Sequence, residues 1–137
     1  MKPIDILSSH NLKRTSCREG IIEVIMNAEQ ALSEFEIREK LHGNYDRSTF
    51  YRSFKTLEEH NVIHRINIDN QLVKYAFCAQ QSHVNGHLHG HFYCRECHTV
   101  RCLDPMSGEA PVLPDGYSAD ETVIIVKGLC PVCRISN

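Results

Sequence analysis

Four cysteines near the C-terminus form two pairs with the same internal spacing. Cys94 and Cys97 make the first Cys-x-x-Cys pair, and Cys130 and Cys133 make the second, with 32 residues between the pairs. Two such pairs supply four thiolates, which is a ligand set of tetrahedral structural zinc sites. A single Cys-x-x-Cys at a helix start is more typical of redox chemistry. The spacing therefore predicts a structural zinc ion that stabilises a domain too small to fold on its hydrophobic core alone.

A second group of candidate ligands lies just before the first cysteine pair. His87, His89 and His91 occupy alternate positions, so in an extended strand their imidazoles would point to one face. Three imidazoles suit zinc, iron, nickel or copper. The competing interpretation is a polar linker whose histidines are solvated. Three further candidate ligands lie elsewhere in the chain: His64, Cys78 and Cys102.

The composition is that of a folded protein rather than a disordered one. Of the 137 residues, 42% are hydrophobic and 23% are charged, and the formal net charge is −2. This charge argues against non-specific coating of nucleic acid but is compatible with a local basic face. The seven cysteines are an odd number, which makes a disulfide framework a poor explanation for them.

Neither a membrane span nor a secretion signal is evident in the sequence. No apolar run approaches the roughly 20 residues that a transmembrane helix needs. The first sixteen residues lack the apolar core of a signal peptide. We therefore expect a cytoplasmic protein with no membrane partner.

The N-terminal half of the sequence predicts three helices. Residues 18–28 repeat apolar side chains with a period close to 3.6, which is typical of a core-facing helix. Ser33 and Glu36 form a capping box that begins a second helix. Asp46 is a suitable N-cap for a third helix over residues 47–60.

The third helix has two different faces. Phe50, Phe54 and Leu57 share the face that is expected to meet the core. The other face carries hydroxyls, an aromatic ring and two cations, at Ser48, Tyr51, Arg52 and Lys55. Cations bind phosphates and guanine edges, and hydroxyls hydrogen-bond to either, so this set suits a helix in the major groove of DNA. An ordinary solvated face is the alternative.

Two β-rich runs follow the third helix, over residues 62–68 and 71–77, joined by the turn-favouring pair Asp69-Asn70. Three helices followed by a hairpin is the order of a winged helix. In that arrangement the third helix enters the DNA groove and the hairpin flanks it on the backbone. This order favours the DNA-binding interpretation of the third helix.

Together these features resemble the ferric uptake regulator (Fur) superfamily of metal-dependent bacterial repressors. The resemblance covers residues 12–134 and rests on four stretches: Arg14-Thr15 with Arg18, Ser48-Thr49-Phe50-Tyr51-Arg52, the His-rich run, and the two cysteine pairs. It implies a homodimer with a winged-helix half that binds a double-stranded DNA operator and a dimerisation half that holds structural zinc. It also implies a regulatory metal at the hinge, whose occupancy permits operator binding.

The resemblance also assigns roles to individual side chains. It implies that Tyr51 contacts bases and that Arg52 and Arg18 contact the DNA backbone or groove. Arg14 and Thr49 lie in the matching motifs and join the expected DNA-binding set.

Several metal ligands that are usual in this family are missing here. A histidine and a glutamate of its iron sensors are replaced by Ala31 and Ala76. A histidine and an aspartate of another family metal site are replaced by Leu88 and Gly90, and a further histidine is replaced by Leu129. The oxygen ligands that favour ferrous iron are therefore depleted.

Zinc uptake regulators (Zur) of the same family have a more similar ligand pattern. They have a histidine in the first wing strand, a cysteine ending the second and a histidine before the first cysteine pair. These positions are matched by His64, Cys78 and His87. Where these regulators have a glutamate, this chain has a cysteine, so the fourth ligand has three candidates: Cys102, His89 and His91. Thiolate and imidazole form a soft donor set, which favours zinc over ferrous iron as the second, regulatory metal.

The region between the cysteine pairs departs from the family. An amphipathic helix is usual there, whereas three prolines and two glycines within residues 105–116 forbid a regular helix. We expect the C-terminal domain to be reduced to a small sheet over residues 92–94, 100–103 and 121–127. The apolar run over residues 123–126 predicts a strand at the centre of that sheet or at the dimer seam.

The predicted fold class is therefore α+β. An N-terminal winged-helix DNA-binding domain over residues 1–79 is followed by a hinge over residues 80–86. A small β-rich zinc-binding dimerisation domain then spans residues 87–137. The predicted function is metal-responsive repression of metal-uptake genes, with zinc as the expected signal.

Three alternatives to this function remain open at the level of sequence. The first is an iron- or peroxide-responsive regulator of the same family. The second, from another class, is a zinc-buffering or metal-delivery protein without DNA binding. The third, a hydrolytic metalloenzyme, is disfavoured because no carboxylate lies within the His-rich run and no substrate-pocket motif is visible. We expect no enzymatic activity and no small organic substrate.

Overall fold

The structure is a computed structural model that describes residues 2–69, 71–77, 88–103, 111–120 and 122–136. It divides the chain into two compact units, Met1–Cys78 and Ala79–Asn137. Within the described residues, no helix is both long and apolar enough to cross a membrane. The predicted hinge over residues 80–86 lies outside the described residues and stays a prediction.

The first unit contains four helices and then a hairpin. The elements are α1 (Pro3–Ser9), α2 (Ser16–Asn27), α3 (Glu34–Lys40), α4 (Arg47–Glu59), β1 (Ile63–Asn67) and β2 (Val73–Phe77). The last three helices and the hairpin follow the order predicted for a winged helix. Helix α1 was not predicted, so the expectation of three helices in this half was wrong.

Side-chain caps begin the three predicted helices. The Thr15 hydroxyl accepts a hydrogen bond from the backbone N–H of Arg18 at the start of α2. Asp46 accepts from the backbone N–H of Thr49 at the start of α4. Each cap satisfies a donor that the first turn of a helix otherwise leaves unpaired, which fixes where the helix begins.

The core of the first unit lies between the helices and the hairpin. Helix α4 contributes the three residues that were predicted to face the core, Phe50, Phe54 and Leu57, and all three are buried. The Phe54 ring packs edge-to-face on Tyr75 of β2, with 4.6 Å between ring centroids. Helix α4 is therefore anchored along one face, which leaves its opposite face available to solvent.

The hairpin is attached to the segment between α2 and α3. Strands β1 and β2 pair antiparallel, with Ile63 opposite Phe77. On its other side β2 forms a bridge to Leu32, in which Leu32 and Tyr75 exchange backbone hydrogen bonds of 2.9 and 2.7 Å. The wing is thus fixed to the helices by backbone as well as by side-chain contacts.

The described residues of the second unit form a three-stranded sheet and a short helix. The elements are β3 (Leu88–Cys94), β4 (Val100–Cys102), β5 (Thr122–Gly128) and the short helix α5 (Pro131–Ser136). The described strands are ordered β4-β3-β5, with β3 antiparallel to β4 and parallel to β5. Described residues 111–116, which end the proline-rich segment, contain no helix, and residues 105–110 of that segment lie outside the described residues.

The apolar run over residues 123–126 forms β5, which is the outer strand among those described, while β3 is central. Of the two positions expected for this run, the centre of the sheet is therefore wrong, and the dimer seam stays a prediction. Pairing leaves Val123 and Val126 51% and 42% exposed. The physical reason is the parallel pairing of β5, since β4 returns through a short connection and takes the other side of β3. Helix α5 after the last strand was also not predicted.

Candidate metal centre and nucleic-acid interface

The two cysteine pairs converge at one point of the second unit. The sulfur atoms of Cys94, Cys97, Cys130 and Cys133 all lie within 4.8 Å of one another. The Cys97 and Cys130 sulfurs are 3.8 Å apart. A tetrahedron with metal–sulfur bonds of about 2.3 Å, the length of Zn–S bonds, has edges of about 3.8 Å. The four cysteines can therefore coordinate one tetrahedral metal ion.

The parallel pairing of β3 with β5 brings the cysteine pairs together. Cys94 ends β3 and is the register partner of Gly128, which ends β5 two residues before Cys130. The Arg95 N–H donates to the Gly128 carbonyl at 2.8 Å, and the Cys94 N–H donates to the Thr99 carbonyl at 3.0 Å. Because these two parallel strands end side by side, both cysteine pairs lie at the same end of the sheet.

The surroundings of these thiols shift their pKa values in opposite directions. Hydrogen bonds from the backbone N–H groups of Cys97 and Cys130 lower the pKa of Cys94 to about 6. By contrast, the hydrogen bond with Cys130, together with burial, raises the pKa of Cys133 to about 12. Four sulfurs this close cannot all ionise without a cation among them, since like charges disfavour one another. The donor set therefore fits a thiolate-bound metal ion.

A second pair of soft donors lies in the same unit. His91 and Cys102 are register partners on the antiparallel strands β3 and β4. His91 is buried, with 3% of its surface exposed, and its donor atom lies within 4.8 Å of the Cys102 sulfur. Two of the predicted regulatory ligands are therefore together, outside the group of four cysteines.

The remaining predicted regulatory ligands fall in different places. His89 belongs to β3, two positions before His91. His64 lies in the first unit, in β1 opposite Ala76, and is half-buried. Cys78 and His87 lie outside the described residues.

The predicted recognition face of α4 is exposed. Ser48, Arg52 and Lys55 lie at the surface, and Tyr51 is 51% exposed. The Arg52 Nε donates to the Ser48 carbonyl at 3.4 Å, while the Lys55 ammonium is 3.9 Å from Glu59. Weak surface contacts of this kind leave the two cations accessible to a partner.

The two arginines predicted to contact DNA near the start of α2, Arg14 and Arg18, differ in their surroundings. Arg18 lines a groove between the start of α2 and helix α4, together with Thr49, Arg52 and Lys55. Its Nη1 atom donates to the Lys13 carbonyl at 2.7 Å. Arg14 does not line this groove and instead pairs with Glu19 at 2.9 Å.

Among the polar residues of this groove that sequence reasoning missed, Ser53 is the buried one, with 8% of its surface exposed. It follows Phe50 by three positions and therefore lies on the core side of α4. A hydroxyl on that otherwise apolar face was the signal that could have drawn attention to it.

The fold and the two groups of ligands together define a winged-helix protein with a cysteine-rich metal centre. The sequence model of the Ferric uptake regulator family matches residues 9–108, and the chain belongs to this family. The resemblance inferred from sequence is therefore confirmed.

Curated relatives match over much of the chain. Transcriptional regulator FurA of Mycobacterium tuberculosis and that of Mycobacterium bovis are each 32% identical to it over 95 residues. The match covers 66% of this chain and 60% of the relatives, so the chain spans less than two thirds of their length. These relatives are transcriptional regulators, which supports the expectation that the chain is not an enzyme.

Solved structures share the fold. A zinc uptake regulator complexed with zinc and DNA has a TM-score of 0.66 at 19% identity, covering 97% of this chain and 91% of that one. The ferric uptake regulator from Francisella tularensis with iron has a TM-score of 0.65 at 23% identity, covering 90% and 95%. This likeness confirms the predicted α+β class, with a winged helix followed by a β-rich unit.

Proposed function

We propose that this protein is a zinc-responsive transcriptional repressor of metal-uptake genes that binds operator DNA as a homodimer in the cytoplasm. The observation that carries the proposal is the His91–Cys102 pair on β3 and β4, which lies apart from the four-cysteine centre. One centre is then available to hold the second unit together and the other to respond to metal supply.

The four-cysteine centre is the structural zinc site of this proposal. The sulfur separation and the all-thiolate donor set both suit tetrahedral zinc, which needs no open coordination position in a structural role. A small sheet gains folding free energy from such an ion, since the site forms only in the folded state.

The regulatory ion is bound by soft donors from both units. The ligand pattern of zinc uptake regulators supports His64, Cys78 and His87, and the fourth ligand comes from Cys102, His89 or His91. The observed pair favours Cys102 and His91 among these candidates. Imidazole and thiolate donors suit zinc better than ferrous iron.

Ligands from both units couple metal binding to the arrangement of the two domains. The predicted hinge over residues 80–86 would permit open and closed arrangements, and the metal binds only where its ligands meet. A ligand that binds one arrangement better shifts the population towards it. Zinc therefore favours the closed, DNA-binding dimer, and zinc excess represses uptake.

The DNA-binding surface is centred on α4. Tyr51 contacts bases, Arg52 contacts the groove or backbone, and exposed side chains of the same helix add hydrogen bonds and charge. The proposed set is Arg14, Arg18, Ser48, Thr49, Tyr51, Arg52 and Lys55. The related zinc uptake regulator solved with zinc and DNA supports DNA as the partner.

The dimer forms along β5. Among the described strands β5 has a neighbour on one side only, and Val123 and Val126 are exposed. An exposed apolar edge strand has unpaired backbone N–H and C=O groups that can pair with another chain. In a two-fold symmetric dimer, the β5 strands of the two copies pair with each other, so both edges are covered.

The test is metal content and DNA binding of anaerobically purified protein, titrated with Zn(II) against Fe(II). We expect about two zinc ions per chain, of which the weaker is required to bind a duplex selected from a random pool. DNA binding that is restored only by Fe(II) would assign the protein to iron sensing. Selection that yields no duplex with any metal would favour a zinc-buffering role.

A further inference from the structure

A groove beside the recognition helix has the features of an anion site. It lies in the first unit, between the start of α2 and helix α4, and has a volume of about 570 Å³. Hydroxyl and cationic side chains account for most of its lining. Because α4 forms one wall, the groove adjoins the surface proposed to meet DNA.

The charges in the groove favour an anion. Arg18, Arg52 and Lys55 line it, against the single carboxylate of Glu59, which is 3.9 Å from the Lys55 ammonium. One Nη1 hydrogen bond occupies only part of the Arg18 guanidinium, which has five N–H donors. The twelve-residue helix α2 also begins here, and a helix N-terminus carries partial positive charge.

Ser53 is an unusual feature of the groove. Its side chain is more than nine-tenths buried and lines the groove, yet its hydroxyl has no hydrogen-bond partner among the residues that the structure describes. The neighbouring groove residue Thr56 differs, because its hydroxyl donates to the Arg52 carbonyl at 2.8 Å. The Ser53 hydroxyl is not enclosed by protein atoms, so it stays open to the groove and can donate a hydrogen bond to a group bound there.

We propose that this groove binds one phosphate group of the DNA backbone, with the Ser53 hydroxyl donating a hydrogen bond to a phosphate oxygen. Arg18 and Arg52 neutralise the phosphate charge from the two walls of the groove. DNA is favoured over a free anion because Arg52 belongs both to the groove and to the exposed face that carries Tyr51. This inference rests on the proposed function and adds a positioning contact to it, since phosphate contacts set the register of a protein on the duplex.

The test compares two hydroxyl removals in one groove. A selected duplex of about 30 base pairs is titrated with zinc-loaded wild type, Ser53→Ala and Thr56→Val. We expect Ser53→Ala to weaken binding about tenfold, because it removes a hydrogen bond to a charged oxygen. Thr56→Val removes a hydroxyl that is already paired within the chain and should stay within about twofold of wild type.

A second measurement locates the phosphate without relying on the fold of a variant. Duplexes are made with a single neutral methylphosphonate linkage at each position in turn. For wild type, one linkage per half-site should weaken binding. In Ser53→Ala, the same linkage should reduce the affinity much less, because the substitution and the neutral linkage remove the same interaction.

Three results would overturn the inference. Equal affinities of wild type and Ser53→Ala would leave DNA binding in place but remove the role of Ser53. If the loss of binding free energy from Ser53→Ala simply adds to the loss from every neutral linkage, Ser53 contacts none of these phosphates and its role is again removed. Displacement of the duplex by inorganic phosphate, but not by chloride at equal ionic strength, would identify a small-anion site instead. Failure to select any duplex would reject the proposed function itself and is therefore distinguishable from these results.

Discussion

Lys74 of the wing donates a 2.6 Å hydrogen bond to Glu36 at the start of α3. The same carboxylate oxygen accepts the Ser33 backbone N–H at 2.9 Å, which completes the capping box predicted from sequence. One side chain therefore both caps a helix and fastens the wing to it. Burial acts to raise the pKa of Glu36, but the Lys74 and Ser33 hydrogen bonds outweigh it and lower that pKa below its ordinary value of 4.5.

Glu36→Gln should destabilise the protein at neutral pH while preserving the cap. Glutamine can still accept the Ser33 N–H, so the variant removes mainly the ion pair with Lys74. We expect a loss of about 0.2–1 kcal/mol, as for other partly exposed ion pairs. The free energy of unfolding is measured by denaturant titration.

The pH dependence of this loss follows from the direction of the pKa shift. A carboxylate whose pKa is lower in the folded state contributes stability above its unfolded pKa, and the contribution disappears as pH falls through the folded pKa. The difference between Glu36→Gln and wild type should therefore be constant above about pH 6 and shrink below about pH 4.5. Glu59→Gln is the control, because Glu59 and Lys55 are exposed and 3.9 Å apart. A difference that is the same at pH 7 and pH 3 would contradict the role of Lys74.

Cys130→Ser should remove the more tightly bound metal ion and unfold the second unit. Three thiolates bind zinc more weakly than four, and metal-binding free energy is folding free energy in a small domain. Metal content is measured by elemental analysis, and hydrogen exchange reports the two units separately. Cys102→Ser, which alters a cysteine outside the centre, should retain this ion. A metal-free Cys130→Ser protein with a protected β3–β5 pair would exclude a structural role.

His91→Ala should abolish the weaker metal site and metal-dependent DNA binding, without loss of the four-cysteine ion. Titration with Co(II) distinguishes the sites, because thiolate-to-metal charge-transfer bands and d–d bands report the number of sulfur ligands. The exposed residue His60 provides the control variant His60→Ala. Unchanged Co(II) spectra and DNA binding in His91→Ala would place the regulatory metal elsewhere.

Arg52→Ala should weaken binding of the selected duplex by about 1–3 kcal/mol, the usual value for an arginine that contacts DNA. Metal content and stability should be unchanged, because the Arg52 side chain is exposed. Lys40→Ala removes an exposed cation from the end of α3 and should have little effect. Binding equal to wild type in Arg52→Ala and in Tyr51→Ala together would refute the assignment of α4 to the DNA.

Val126→Lys should convert the dimer to a monomer. A charged side chain on the exposed part of β5 opposes pairing of two edge strands. Val112→Lys is the matched control, since Val112 is 97% exposed and lies in the segment before β5. Sedimentation velocity measures the outcome. A dimer of unchanged stability in Val126→Lys would mean that the interface lies elsewhere.

Local signals in the sequence were sufficient for most of the winged helix. The N-cap at Asp46 and the capping box at Ser33 and Glu36 both involve residues three positions apart, so their chemistry can be seen without the fold. Helix α1 was missed although Pro3 at its first position is a helix-start signal. It has only seven residues, too few for a helical period to be clear, and its buried residues pack on α2.

Long-range pairing was harder to predict. The apolar run of β5 indicated a strand, but composition does not say which neighbour a strand takes, and β5 proved to be the outer strand. The four-cysteine centre was predictable because its two pairs each have a fixed spacing. The His91–Cys102 pair depends on the register of β3 and β4, so the sequence indicated the candidates but not their combination.

The parallel pairing of β3 and β5 also affects how the chain reaches its folded state. Both cysteine pairs must meet across 32 intervening residues, so a metal ion closes a long loop whose entropy opposes folding. Without the ion, β5 is a β-branched apolar segment with no partner, which is a typical aggregation-prone sequence. Under the proposed function, prolonged metal starvation would therefore deplete newly made repressor through misfolding and proteolysis. Derepression would then have two time courses, a rapid one from loss of the regulatory ion and a slow one from falling protein abundance.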